Sequence, residues 1–585
     1  MRYKHPKEYK QLKEQELSEK RGVSIISAGT LEKHVGSVII DDATRKRLKK
    51  KLEALPNLDE FYKSLIEALK QWNILYLLAD LFFFHITSIG QTWMIEYLLG
   101  IVSSFQVKDF KSKIPVNPKR FWENTFSNLE LLVFILNRPY QDLTDQSEIQ
   151  RIAILKRFEF LIKNKYYTFQ YEPTIRRNYG FLKEKFKEKY GFSIEDAINF
   201  ENILQNEIIS RFMDLTKQPD SSIYDRLLKC FQFSLEEFKN IMKKDKFEEF
   251  RNFLKRLSFE SGTVNKDFRS PLDFNYILRS PIFKIKEHYY LPFFKRLNEI
   301  LMSTFYYDIL NDPNLVKEYV YGKGKVIENT LYDFLKRKIP ENLIYKNPEY
   351  QLKKGVNFEN DLIVQLDTVF YIFECKNKKL TLLSSQGDVA SIEKDLQQSI
   401  ISQFRQAQRF IQDFRNQKKL LIKTENQGEI ELNFKKNYQF KIVCITDETY
   451  GSLAVDLTYL NELIKDLNDE YPFTTNLNDL EIILDNIDSK EQFFDYINIR
   501  IELAGKVKFS FGDEMELFGA YLKNKKKLLN LSKEQVFTLN GFTDDLDRKY
   551  QGIATTEMDS IAWDFEHGKK IRLRKERKKT IKRKK

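Results

Sequence analysis

The sequence predicts an α+β chain of several domains: a large irregular all-helical N-terminal region, a central α/β core, a helix-rich C-terminal region and a basic tail. Three observations carry this expectation. At 585 residues the chain has room for about two to four domains. Between about 51 and 315, apolar residues recur mostly at helical spacing, as in LDEFYKSLIEALKQW and LEEFKNIMKKDKFEEFRNFLKRL. Over 316–450 the pattern changes to helix, strands, helix, strand, which is an α/β order.

Taken along the chain, residues 1–50 are a polar segment with short apolar pieces such as VGSVII (35–40). The opening MRYKHPKEYKQ holds no apolar run, so no signal peptide is expected. The cluster RKRLKKK (45–51) leads into the helical domain, 51–315. Its most apolar stretch, WNILYLLADLFFFHITSIG (72–90), is interrupted by Asp80 and His85. No uninterrupted run reaches the ~18 apolar residues of a membrane span, so a buried helix pair is expected and no membrane partner. SPIFKIKEHYYLPF (280–293) fits a short hairpin, and no fixed-period repeat is present. The unit 316–450 opens with a helix candidate, KVIENTLYDFLKRKI (325–339). Two strands follow, Leu362–Leu366 and Val369–Phe373, joined by Asp367-Thr368 as a tight turn. A long helix, IEKDLQQSIISQFRQAQRFIQDF (392–414), and a strand, YQFKIVCIT (438–446), complete it. Residues 451–550 return to helical patterns, including LTYLNELIKDL and EQFFDYINIRIEL, and 551–585 form the tail.

Charge is concentrated at one end. The formal net charge is +13, and from Lys569 to Lys585 twelve Lys and Arg face one acid, Glu576. That stretch carries +11, so the body is nearly neutral and the tail is a basic arm suited to a polyanion. IRLRKERKKTIKRKK has too few apolar residues to bury a core and is expected to be flexible alone. Its candidate phosphate contacts are Lys569, Lys570, Arg572, Arg574, Lys575, Arg577, Lys578, Lys579, Lys582, Arg583, Lys584 and Lys585. YGKGKVIEN (321–329) adds Lys323 and Lys325, candidate phosphate contacts at a helix N-terminus. It is not a GxxxxGK[ST] loop, and none occurs elsewhere, so no ATP site is expected. The acids of GDEMEL (512–517) read as dipole complements in a first helical turn. The three cysteines, Cys230, Cys375 and Cys444, lie far apart, which argues against a disulfide framework and fits a reducing, cytoplasmic setting. The five histidines have no ligand spacing.

The chemistry sits in ENDLIVQLDTVFYIFECKN (359–377). Asp361 opens the first strand of this hairpin, and alternation puts Phe370, Ile372, Glu374 and Lys376 on one face of the second. A carboxylate and an ammonium thus follow two large apolar residues on a face that looks buried. Burying charges costs several kcal/mol unless they are paired or bind an ion. A hard divalent cation answers this, since Mg²⁺ takes one or two carboxylates with water and substrate phosphate completing its shell. Asp361 and Glu374, with the main-chain carbonyl of Cys375, are the candidate ligands for Mg²⁺ or Mn²⁺. Lys376 would orient or help deprotonate an attacking water and offset phosphate charge. The competing reading is a hairpin whose Glu374 and Lys376 are solvated at the strand end, where a lone ion pair needs no function.

Asp361 followed by Glu374-Cys375-Lys376 resembles the D…(D/E)XK core of the PD-(D/E)XK, or restriction-endonuclease-like, nucleases, and most closely their nuclease-related and Mrr-like branches. The resemblance covers roughly residues 320–450, and Asn360 stands where that family often has proline. It implies a restriction-endonuclease-like core with a mixed sheet and a Mg²⁺-dependent phosphodiester hydrolase acting on nucleic acid, DNA ahead of RNA. It further implies an acid on the preceding helix, matched by Glu328, and a glutamine on the following helix, for which Gln406 is preferred over Gln403. Glu359 is a candidate outer ligand on the strand face of Asp361. Multidomain nucleases of this kind suggest defence against phage or mobile DNA, and the helical region would then serve oligomerisation or a regulatory partner. The alternative is a non-catalytic nucleic-acid-binding or scaffold protein that keeps the fold.

Overall fold

The chain is α+β in the computed structural model, which describes residues 55–87, 91–137, 147–161, 166–217, 222–353, 355–465, 467, 470–511, 513–531, 536–540 and 542–551, with strand residues 23–27 and 37–38. The basic tail, the RKRLKKK cluster and most of the N-terminal segment lie outside the described residues. Of VGSVII, only Ser37–Val38 is described as strand. It pairs with Val23–Ser27, which joins Val536–Asn540 in a sheet that also takes Lys508–Phe511.

The region before residue 315 is helical, with one core running from Phe61 to Tyr319. It is not all-helical: four short strands form a sheet within it. Two of them, Ile282–Ile285 and His288–Tyr290, are the hairpin expected in SPIFKIKEHYYLPF. The apolar stretch 72–90 yields one helix, Ile74–Thr87, rather than a pair. No glycine or proline breaks it before Gly90, and its two polar interruptions find partners. The Asp80 carboxylate accepts from Trp122 Nε1 at 2.6 Å, and His85 Nε2 accepts from the Lys295 amide at 3.2 Å. No helix among the described residues is long and apolar enough to cross a membrane.

The central unit is a three-layer arrangement. Helix α1 (Val316–Lys336) precedes strands β1 (Ile344–Lys346), β2 (Leu362–Leu366) and β3 (Val369–Lys376). Helices α2 (Val389–Gln397) and α3 (Ile400–Gln417) then cross over to β4 (Gln439–Thr446), and β5 (Phe473–Asn476) closes the edge. The sheet runs β1-β2-β3-β4-β5, with β1, β2 and β3 antiparallel in succession and β3, β4 and β5 parallel. Asp367 turns the β2–β3 hairpin at positive φ (49°), a conformation Asp tolerates.

Alternation along the strands builds two faces. Leu362, Val364, Tyr371, Phe373, Val443 and Ile445 pack with Ile327, Leu331 and Leu335 of α1. Ile363, Phe370, Ile372, Ile442 and Cys444 pack with Ile401, Phe404, Phe410 and Phe414 of α3. The sheet does not stop at residue 450: β5 and the helices Leu477–Asp485 and Lys490–Leu503 share the α1-side core. Residues Ile149 and Ile152, from the earlier helix Glu148–Leu161, join the α3-side core.

Three further elements differ from expectation. Helix α1 starts at Val316, not 325, so YGKGK lies inside it. Gly322 serves close approach there: a Cβ would stand 2.5 Å from Phe181 Cδ2. The long helix expected over 392–414 is two helices, interrupted at Gln398-Ser399, where Ser399 Oγ donates to Asp395 O at 2.7 Å. LTYLNELIKDL holds only a four-residue helix, Leu460–Leu463. Two acids of GDEMEL, Glu514 and Glu516, do enter the first turn of a helix, Glu514–Leu529, but Glu514 is buried and pairs with buried Arg500 at 2.9 Å.

Candidate active site

The β2–β3 register sets the geometry. Leu362 pairs with Phe373 and Ile363 with Ile372, so one further step brings Asp361 opposite Glu374. Glu374 is fully buried on the α3 side of the sheet, which excludes a solvated strand end. Its Oε1 accepts from Nδ2 of Asn360, itself 1% exposed, while its Oε2 is buried without a hydrogen-bond partner. Asp361 is mostly buried, and its Oδ2 accepts from the Cys375 amide at 2.5 Å. The Cys375 side chain points to the α1-side core, so only its main chain belongs to this face.

Lys376 lies one alternation beyond Glu374, at the end of β3. Its Nζ donates to Gln406 Oε1 at 3.2 Å, and Gln406 Nε2 donates to the Glu359 carbonyl at 3.0 Å. Gln403, one helical turn earlier, is fully buried and donates from Nε2 to the carbonyls of Glu374 (2.9 Å) and Ile445 (2.6 Å). The two glutamines therefore divide the work. Gln403 ties the backbones of β3 and β4 to α3, and Gln406 holds the lysine. The loop after Lys376 is fixed by buried Asp395, which pairs with Lys378 and accepts from Thr381 N and Ser384 Oγ.

The carboxylates repel one another in a desolvated setting. Burial pushes the Asp361 carboxyl up to about 7, and the charges of Glu328 and Glu359 add to the rise. Burial, then Asp361, pushes Glu374 well above the usual carboxyl range. Glu328, half-buried on α1, is raised by burial and by Glu425. Glu359 is raised by desolvation, then by Glu328, although its side chain is exposed. The structure thus brings Asp361, Glu374, Lys376, Gln406, Glu328 and Glu359 into one electrostatic neighbourhood. Glu359 contributes its carbonyl directly, and Glu328 reaches Asn347 Nδ2 only at 3.5 Å.

The expected phosphate contacts divide. Lys325 is exposed. Lys323 is fully buried and cannot meet a phosphate: inside α1 it points to the core, where Nζ pairs with Asp447 at 2.8 Å and donates to Asn178 Oδ1 at 2.5 Å. The tail lysines and arginines, Lys569 to Lys585, lie outside the described residues. Three site residues escaped the sequence: Asn360, which grips Glu374, Asn347, which reaches Glu328 and Glu425, and Glu425 itself. Glu425 sits on a turn of a separate four-stranded sheet and arrives only through the tertiary fold.

Among the described residues no group of three or more His, Cys, Asp and Glu side chains is disposed to hold a metal ion. A metal reading therefore rests on two carboxylates and a main-chain carbonyl. That donor set fits Mg²⁺, which keeps several waters and takes one or two carboxylates. The partnerless, buried Glu374 Oε2 is the observation that favours an ion there. No family model, curated protein or solved structure matches the chain.

Proposed function

We propose that the chain is a metal-dependent nuclease with a PD-(D/E)XK-type, restriction-endonuclease-like core, hydrolysing phosphodiester bonds in nucleic acid, DNA ahead of RNA. The observation that carries the reading is the buried Glu374 with a partnerless oxygen, opposite Asp361 and one alternation from Lys376. A scaffold gains nothing from two desolvated carboxylates placed opposite one another, with Asp361 raising the pKa of Glu374, because that arrangement costs stability.

Asp361, Glu374 and the Cys375 carbonyl would hold Mg²⁺ or Mn²⁺. When bound, the ion supplies Lewis acidity to the scissile phosphate and lowers the pKa of a bound water. Lys376, held by Gln406, stands where it orients a nucleophilic water and offsets phosphate charge. Asn360 and Gln403 keep Glu374 in place from side chain and backbone. The test is incubation of the full chain with plasmid, linear DNA and RNA in Mg²⁺, Mn²⁺, Ca²⁺ or EDTA. Cleavage in Mg²⁺ or Mn²⁺, with Ca²⁺ supporting binding more than turnover, is the expected result. Full activity in excess EDTA would rule the mechanism out.

The raised carboxyls give a second prediction, read without cleavage. Asp361 and Glu374 bind protons more tightly in the folded than in the unfolded chain. The metal-free fold therefore loses stability as pH rises from the ordinary carboxyl range near ~4, and Asp361 has lost its share above about 7. An ion held by both carboxylates offsets that loss. Excess Mg²⁺ should raise the Tm more at about pH 8 than at about pH 5.5. The rise should vanish in the Asp361→Asn, Glu374→Gln double variant. The same rise at both pH values, or in the double variant, would place the ion elsewhere.

A third prediction concerns the tail. On duplex DNA each neutralised phosphate steepens log K against log[salt] by ~0.9, so if about five tail cations engage, deleting residues 569–585 flattens the slope by ~4–5 units. Binding to all sequences weakens alike, and the chemical step at saturating substrate is spared. An unchanged affinity and slope would leave the tail without a role in binding.

A further inference from the structure

We infer that the outward face of α1 is a stacking site for an unpaired nucleobase of a DNA strand, with Tyr321 as the platform and Lys325 as the cation beside it. The inference rests on the nuclease reading for its substrate class and specifies the form in which the strand is offered to the carboxylates.

Helix α1 turns Tyr319, Lys323, Ile327 and Leu331 inward. Its outward residues should be polar on a helix that only covers a core. Instead Val320 is 56% exposed and Tyr321 67% exposed. Core packing does not account for a ring left this open. Tyr321, Lys325 and Glu328 follow at spacings of four and three, so they share one helix face. From Tyr321 to Glu328 is about 10 Å along the axis. The Lys325 ammonium stands 5.1 Å from the Tyr321 ring centroid. Its charge also acts on Glu328, one turn further along the helix, and on Glu359. Along one face the order is thus aromatic ring, ammonium, carboxylates.

A nucleic-acid strand offers the matching order of base, phosphate and reacting phosphate. Aromatic rings with adjacent cations are the general means of holding single strands, because every base has a π-face and the phosphate between bases needs a counter-charge. A paired base has both faces covered by its own stack. Only an unpaired, terminal or extruded base can lie on Tyr321.

The test uses full-length protein in Ca²⁺ and two fluorescent DNA probes of equal base composition: a single-stranded oligonucleotide and a duplex closed by hairpins at both ends. Tyr321→Ala should weaken single-strand binding about 5- to 100-fold and leave the closed duplex nearly unchanged. Tyr321→Phe should keep the affinity, since the ring carries the stacking. Lys325→Ala should flatten the single-strand salt slope by about 0.7. Equal loss on both probes, or no loss on either, overturns the stacking site. The two readings fail separately. If no metal supports cleavage while Tyr321→Ala still divides the probes, the nuclease reading falls and the stacking site stands. If cleavage occurs and the probes are affected alike, the stacking site falls alone.

Discussion

Asp361→Ala and Glu374→Ala should each abolish cleavage, by about a thousandfold or more, while the chain stays folded. Each removes one of two carboxylates on which the ion depends, and Lewis-acid stabilisation is worth several kcal/mol at ~1.4 kcal/mol per decade of rate. Glu374 adds a contrast that a structural role cannot mimic. Its carboxyl is fully buried and driven toward the neutral form, with one oxygen lacking a partner. Glu374→Gln keeps the shape and the acceptor for Asn360 but removes the charge that burial penalises. This variant should therefore melt at or above the parent Tm in EDTA while being as inactive as Glu374→Ala. Lys376→Ala should lower turnover by about 10²–10⁴ without preventing Mg²⁺ from raising the Tm. Gln406→Ala should act through the lysine, with a smaller loss. Initial rates on linear DNA and thermal melts with and without Mg²⁺ check all five variants. If the three acid–acid–lysine alanine variants cut at the parent rate, the assignment is wrong.

The sheet's central hairpin is legible in the sequence because strand alternation is local. Phe370, Ile372, Glu374 and Lys376 fall on the α3 side, and Tyr371, Phe373 and Cys375 on the other, as period two requires. That Gln403 and Gln406 share a helix face is also legible. Spacing alone does not decide which one meets the lysine: Gln406, the preferred candidate, does so, while Gln403 is claimed by two strand carbonyls from β3 and β4. The break between α2 and α3 leaves no trace in IEKDLQQSIISQF, whose helical spacing is continuous. At the break Ser399 Oγ donates to the Asp395 carbonyl, and the Asp395 carboxylate is held by Lys378, Thr381 and Ser384 across the loop after β3, contacts that helical spacing does not reveal. YGKGK reads like a loop because glycine usually marks one. Here Gly322 is required by Phe181, 141 residues earlier, and nothing near it in sequence reveals that contact. The misreading of Lys323 follows from the same place. A lysine beside two glycines suggests an exposed phosphate contact, and its burial is set by Asp447 and Asn178, both distant.

That burial leads to the largest expected effect on stability. Asp447 follows directly on β4 and is 3% exposed. Burial opposes its charge, but Lys323 and Lys379 together hold its carboxyl below the usual range. Lys323 is drawn down to about 8 by burial, against the pull of Asp447. Arg177 contributes to the same field from the helical region, and Asn178 bonds Lys323 directly. One carboxylate therefore compensates cations from α1, from the loop after β3 and from a helix of the N-terminal core. Asp447→Leu leaves those cations desolvated together, with only Glu448 remaining on Lys379. Breaking a buried pair from one side costs about 3–5 kcal/mol, so a clear fall in Tm and in the urea midpoint is expected. Lys323→Met should cost less, because Asp447 keeps Lys379 and Arg177. The double variant, Lys323→Met with Asp447→Leu, should recover much of the loss, since two apolar side chains replace a pair whose desolvation was itself costly. A single Asp447→Leu variant as stable as the parent would show that the pair compensates nothing. A double variant no better than Asp447→Leu alone would place the loss in packing rather than in the stranded charge.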